Sequence, residues 1–214
     1  MAIGSEHAAS QSDVLVVYES QHGQSEKIAH YVAELARRAG FESRSLHVSH
    51  AFQVDLATFA AAVVIAPVHY GRHARKIRRF LRHHRELLAK LPVAFVSVSN
   101  SAVSGDPRVR REAVQLAHRF TNDVALRPTV VVTAGGALAY PRYNPVLRWV
   151  MRRIAARTGG PTDTSRIHEL TIWSEVDAVL LPFFDALPRP TALATETVPR
   201  SRVVDAGPTA PAHY

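Results

Sequence analysis

The chain has 214 residues, enough for one globular domain with some length to spare. Apolar residues make up 47% and charged residues 21%, which excludes wholesale disorder, a collagen-like repeat and a coiled coil. The 26 Lys and Arg against 18 Asp and Glu give a net charge of +8, which favours anionic partners, and the lack of cysteine removes disulfides, thiol nucleophiles, iron–sulfur clusters and cysteine-based zinc sites.

Residues 1–12 are small and polar, without the basic and apolar segments of a secretory signal, and read as a disordered extension. The longest apolar run, Phe59 to Val68, is about half of the roughly 20 residues a membrane-crossing helix needs. Asp13 to Tyr18 is a Val-rich run of the kind buried on both faces of a sheet. Ile28, Val32, Leu35, Ala36 and Ala39 then follow helical spacing from Gln24 to Ala39, with Gly40 placed to cap the end. Further strands are expected at Arg44–Val48, Ala61–Val68, Val93–Val98 and Thr129–Thr133, and helices at Arg75–Ala89 and Val109–Val124. Alternation of this kind predicts an α/β fold in which a parallel sheet is sandwiched between helices, with ligands beyond the carboxyl ends of the strands. Gly135-Gly136 interrupts the pattern. A helix from Pro145 to Ala156 follows, capped by Asn144, then a strand at Ile167–Ile172 and a last helix whose Ser174 and Asp177 suggest a capping pair. Five prolines from residue 188 onward mark 188–214 as a disordered tail, leaving 13–187 as the folded domain.

Three strand-end loops carry the chemistry. Ser20, Gln21, His22, Gly23, Gln24 and Ser25 run from the first strand into a helix, offering hydroxyls, a glycine and helix N–H groups to a phosphate. The loop is neither G-x-G-x-x-G nor G-x-x-x-x-G-K-[ST], so a monophosphate fits better than a dinucleotide or a nucleoside triphosphate; an ordinary capped turn is the bland alternative. Val68, His69, Tyr70 and Gly71 supply an aromatic beside a glycine, and Ser97, Val98, Ser99, Asn100 and Ser101 supply small polar groups for a ring edge. Together they suggest a planar cofactor bearing a phosphate. With no cysteine, redox chemistry would have to come from such a group.

In this order the three loops resemble those of flavodoxin-like proteins. The segments Gly136-Ala-Leu-Ala-Tyr-Pro-Arg-Tyr143 and Thr158-Gly-Gly-Pro-Thr-Asp-Thr164 resemble the menaquinone-dependent protoporphyrinogen oxidases. The resemblance spans about Asp13 to Leu187. It implies a flavodoxin-like three-layer sandwich with five parallel strands in the order 2-1-3-4-5, FMN at the three loops, and a helical insertion at about 137–164. By analogy with long-chain flavodoxins the insertion would divide the fifth strand, leaving Ile167–Ile172 to complete the sheet. It also implies six-electron oxidation of protoporphyrinogen IX, with menaquinone or ubiquinone as acceptor. The stretch Asn144-Pro145-Val146 departs from the family pattern.

The insertion helix gathers Val146, Leu147, Val150, Met151 and Ile154 on one side and Arg148, Arg152, Arg153 and Arg157 over the rest, a pattern suited to docking on an anionic membrane surface or a substrate, or to packing on the sheet. Peripheral attachment at the cytoplasmic face of the cell membrane follows from the first use. Seven basic residues and no acid lie between Arg72 and Arg85, most of them on a solvated helix face. Arg72, Arg75 and Arg142, near the strand ends, are candidates for substrate carboxylates, with Tyr140 beside them. His69 or His73 could accept a proton, since imidazole titrates near neutrality. The 12 histidines lack the companions of a metal site, and the basic residues lack the aromatic platform of a nucleic-acid binder. The competing readings are an NAD(P)H:quinone reductase with FMN and a flavodoxin-type electron carrier. No feature of the sequence reports an oligomeric state.

Overall fold

A computed structural model describes residues 13–157 and 159–188. The N-terminal dozen and the tail from residue 189 lie outside the described residues. β1 (Asp13–Tyr18) sends Val14 and Val16 into one core and Leu15 and Val17 into another, which is why the run has no polar face. α1 (Gln24–Arg38) ends in a Schellman turn: Gly40 takes φ 91°, its N–H donates to Arg37 O at 2.9 Å, and Phe41 N–H donates to Ala36 O at 3.0 Å. That turn feeds the chain directly into β2 (Glu42–His47), which starts two residues earlier than its weak alternation suggests.

β3 (Ala61–His69) doubles back through Tyr70-Gly71 into the short antiparallel β4 (Arg72–His73). The helix expected over Arg75–Ala89 is two, α2 (Arg75–His83) and α3 (Arg85–Leu88). They are separated at His84, whose buried ring lies 4.8 Å from that of Phe80. After β5 (Val93–Val98), α4 (Pro107–Asp123) opens ahead of its apolar pattern because Asp106 accepts from Arg108 N–H at 2.8 Å and Pro107 occupies the first turn. β6 (Val130–Ala134) completes a sheet in the order β2-β1-β3-β5-β6, all parallel, which is the expected 2-1-3-4-5 arrangement. Helices α2, α3 and α4 bury Ile77, Phe80, Leu81, Leu88, Ala117 and Phe120 against one face.

Beyond β6 the chain leaves the sheet. β7 (Ala137–Ala139) leads through a 3-10 turn at Tyr140–Arg142 into α5 (Pro145–Arg157), with Asn144 Oδ1 accepting from Leu147 N–H at 2.8 Å as its cap. The return strand β8 (Ile167–Glu169) corrects the expectation that Ile167–Ile172 completes the main sheet: it pairs antiparallel with β7 in a ribbon of its own. The cause is local. Leu170 N–H donates to Gly136 O at 3.0 Å and Thr171 Oγ1 to Gly135 O at 2.7 Å, so the two ends of the insertion bind each other. α6 (Trp173–Asp185) then packs with α1 on the sheet's second face. The Ser174–Asp177 capping pair does not form; the helix begins without a side-chain cap, and Asp177 instead accepts from Tyr31 OH at 2.8 and 3.0 Å. Among the described residues no helix is long and apolar enough to cross a membrane.

A Cβ on Gly135 would lie 2.1 Å from Leu170 O, a backbone atom with no freedom to swing away. Gly135→Ala is therefore expected to lower stability by about 1–3 kcal/mol in urea denaturation, as overpacking does. A loss below about 0.5 kcal/mol, the level of a neutral surface change, would show that the insertion root is not tightly held.

Candidate functional site

A cleft of about 690 Å³ opens at the carboxyl ends of β1, β3 and β5, where the strand-end loops converge. The first loop is built around Gly23, which sits at φ 93° as the residue preceding α1. Ser20 Oγ accepts from Gly23 N–H at 3.0 Å, and no side chain caps the helix. The first-turn N–H groups therefore face the cleft with the positive end of a 15-residue helix behind them. A Cβ on Gly23 would lie 2.9 Å from the Arg142 guanidinium, which crosses over from the insertion to donate to His22 O. An open helix terminus, a backbone cradle without a side chain and an adjacent guanidinium suit a phosphate monoester.

The second loop is the tip of the β3–β4 hairpin. Tyr70 (φ 51°) and Gly71 (φ 73°) both take left-handed conformations, the geometry of a two-residue type I′ turn. Holding Tyr70 there costs about 1–2 kcal/mol, and its ring is left 89% exposed at the cleft rim. In the third loop Ser99 Oγ accepts from Ala102 N–H at 3.2 Å, which shapes the turn bearing Asn100. Gly136 closes against it, since a Cβ there would lie 2.9 Å from Asn100 Oδ1.

Three rings meet where the loops join: His22 lies 6.0 Å from His69 and 5.2 Å from Tyr143, both edge-on. Burial holds the His22 imidazole below its ordinary range, and the charges of His69 and Arg142 push it the same way against Glu19. His69 is lowered by burial as well, opposed by Glu19, and its Nε2 is buried without a hydrogen-bond partner. His69 thus presents a neutral base at neutral pH.

Of the residues singled out from the sequence, Ser20, Gln21, His22, Gln24, Ser25, Val68, His69, Tyr70, Gly71, Val98, Ser99, Asn100 and Ser101 line the cleft. Gly23 and Ser97 are not among the lining residues. His73 is a correction to the candidate proton acceptors: the hairpin register pairs it with Val68 and turns its ring into the core. There it stacks 4.3 Å from Phe120, with Nε2 2.9 Å from Ser97 Oγ. Arg72 and Arg75 are exposed and do not line the cleft. Tyr140 is fully buried inside the insertion, its OH donating to Pro161 O at 2.8 Å. The sequence reading missed the α4 wall and left the α5 face open between docking to a membrane or substrate and packing on the sheet. α4 contributes Val109, Glu112, Ala113, Leu116 and Arg119, and α5 contributes Leu147, Val150, Met151 and Ile154. The signal for the α5 wall was its apolar stripe, which periodicity alone assigns equally to membrane, sheet or cleft.

Five parallel strands in this order, with an open phosphate loop and two flanking loops at their carboxyl edge, define a flavodoxin-like protein, and that architecture implies a flavin cofactor. The chain belongs to the flavodoxin domain family, whose model matches residues 15–165. It is 27% identical over 162 residues to protoporphyrinogen IX dehydrogenase (quinone) of Escherichia coli strain K12, covering 76% of this chain and 89% of the relative. It is 29% identical over 195 residues to the protein of the same name from Leishmania major, covering 88% and 84%. The C101S mutant of a Pseudomonas aeruginosa flavodoxin superposes with a TM-score of 0.43 at 16% identity, over 69% of this chain and 99% of that one.

Burial lowers the His73 pKa to about 4, with Arg78 adding to the shift. Between pH 6.5 and 4 the unfolded chain binds a proton there that the folded chain refuses, so stability falls as the pH falls. From pH 7 to 5 the wild type should lose about 2 kcal/mol more than His73→Phe, read by urea denaturation at both pH values. Parallel losses in the two proteins would show that His73 titrates normally in the fold.

Proposed function

We propose that this protein oxidises protoporphyrinogen IX to protoporphyrin IX with bound FMN and passes the electrons to a quinone, menaquinone or ubiquinone. The observation that carries the reading is the insertion. An electron carrier needs the flavin loops alone, whereas this chain adds an apolar helix face over the cleft mouth, next to a second one on α4. The names and coverage of the relatives support the same reading.

In this reading the N-terminus of α1 and Arg142 hold the phosphate, Tyr70 covers the ring, and the loop at Ser99–Ser101 bonds its edge. The flavin supplies two-electron redox chemistry when bound. His69, neutral at neutral pH and part of the cleft lining, takes up a proton released by the substrate. The apolar walls exclude water from an oxygen-sensitive, hydrophobic substrate. The outward side of α5 supports peripheral attachment to the cytoplasmic face of the membrane, where quinones dissolve: Val146 is 74% exposed and Trp149 64%, among four arginines and no acid.

The test is anaerobic. Protoporphyrinogen IX added to the FMN-loaded protein should bleach the flavin and yield fluorescent porphyrin, with continued turnover only when quinone is present. A flavin that stays oxidised with this substrate yet bleaches with NADH would overturn the reading in favour of a reductase. His69→Gln should slow flavin bleaching by about 100-fold, the scale of general-base catalysis, while FMN affinity changes little. The wild-type rate should also fall as acid protonates His69, at a pH below the ordinary imidazole range because burial lowers its pKa, and the variant should lack that acid limb. An unchanged pH profile in the variant would remove His69 from the proton path.

A further inference from the structure

α4 presents Val109, Glu112, Ala113, Leu116 and Arg119 to the cleft, a spacing that puts all five on one helical face. Among the described lining residues Arg119 is the one arginine or lysine and Glu112 the one acid. They lie seven residues apart, about 10 Å along the helix, too far to neutralise each other. Several other arginines are engaged: Arg142 with His22 O, Arg78 and Arg82 with Asp123, Arg110 with Ser104 O. Arg119 has no hydrogen bond or ion pair to any described residue, and it borders an apolar surface made by Leu116 and the α5 face. An unengaged guanidinium at the edge of an apolar slot suits a flat hydrophobic ligand that carries a carboxylate on its rim.

We propose that Arg119 is the carboxylate anchor of the outer cleft, binding a propionate of the tetrapyrrole while Leu116 and the α5 face hold the ring. This rests on the reading that the protein acts on protoporphyrinogen IX. Both propionates leave one edge of that ring. Glu112 repels them from its end of α4, so the pair of charges sets which edge points toward Arg119. The anchor orients the substrate without touching the reacting carbons.

Replacing the propionates by methyl esters removes the charge that Arg119 would bind. Arg119→Ala is expected to raise KM for protoporphyrinogen IX about tenfold, the worth of one charge-assisted hydrogen bond, with kcat nearly unchanged. KM for the dimethyl ester and affinity for FMN should not move, and Arg119→Lys should recover part of the loss. Equilibrium titration with protoporphyrin IX and its dimethyl ester, read by porphyrin fluorescence, should show the same selective weakening. Equal losses with acid and ester, or no loss with the acid, would overturn the anchor. Absence of wild-type turnover would instead overturn the substrate reading, and the fluorescence titration would still decide whether Arg119 binds the porphyrin carboxylates.

Discussion

The outer half of the cleft depends on how closely the Leu170 carbonyl approaches Gly135. Only a residue without a side chain admits that carbonyl, and the hydrogen bonds of Thr171 and Leu170 to the same two-glycine step then lock the insertion at its root. Thr171 also accepts from Gln24 Nε2 at 2.7 Å, so the root is tied to the helix whose N-terminus faces the cleft. From that anchorage the β7–β8 ribbon projects outward and brings α5 back over the opening. A flexible root would remove the α5 wall from the cleft.

The site divides electrostatically into two regions. Its inner end has open helix N–H groups and the Arg142 guanidinium, a fixed positive field that needs no titratable lysine. Its middle holds imidazoles kept neutral by burial, so the field there is weak and protons can move. The outer end is apolar, with one cation and one anion two helical turns apart. A ligand set with an anionic tail, a redox ring and a hydrophobic partner would find each part matched in sequence along the cleft.

Much of the sheet could be read directly, because β1, β3 and β5 are buried on both faces and their Val- and Ala-rich runs have no other use in a soluble fold. The phosphate loop was legible for a similar reason: a strand, a glycine and a helix start fix its backbone. The insertion was harder. β7 and β8 are three residues each, too short for any period, and the register that joins them depends on contacts between residues about 30 apart. His73 misled because its chemistry suits catalysis, while the hairpin turn at Tyr70-Gly71, which decides where it points, leaves only a faint trace in the sequence. Arg119 was hidden in a helix whose visible pattern was the stripe facing the sheet.

The insertion has a small interior of its own, in which Leu138, Ala139, Tyr140, Tyr143 and Ala155 pack together apart from the two cores that sandwich the sheet. A segment with a private core and a narrow root can open as a cooperative unit while the sheet stays folded. Opening of that unit would break one short ribbon and leave the sheet folded. In hydrogen-exchange terms, amides of α5 and the ribbon would share one low opening energy, well separated from the slow class set by β1, β3 and β5.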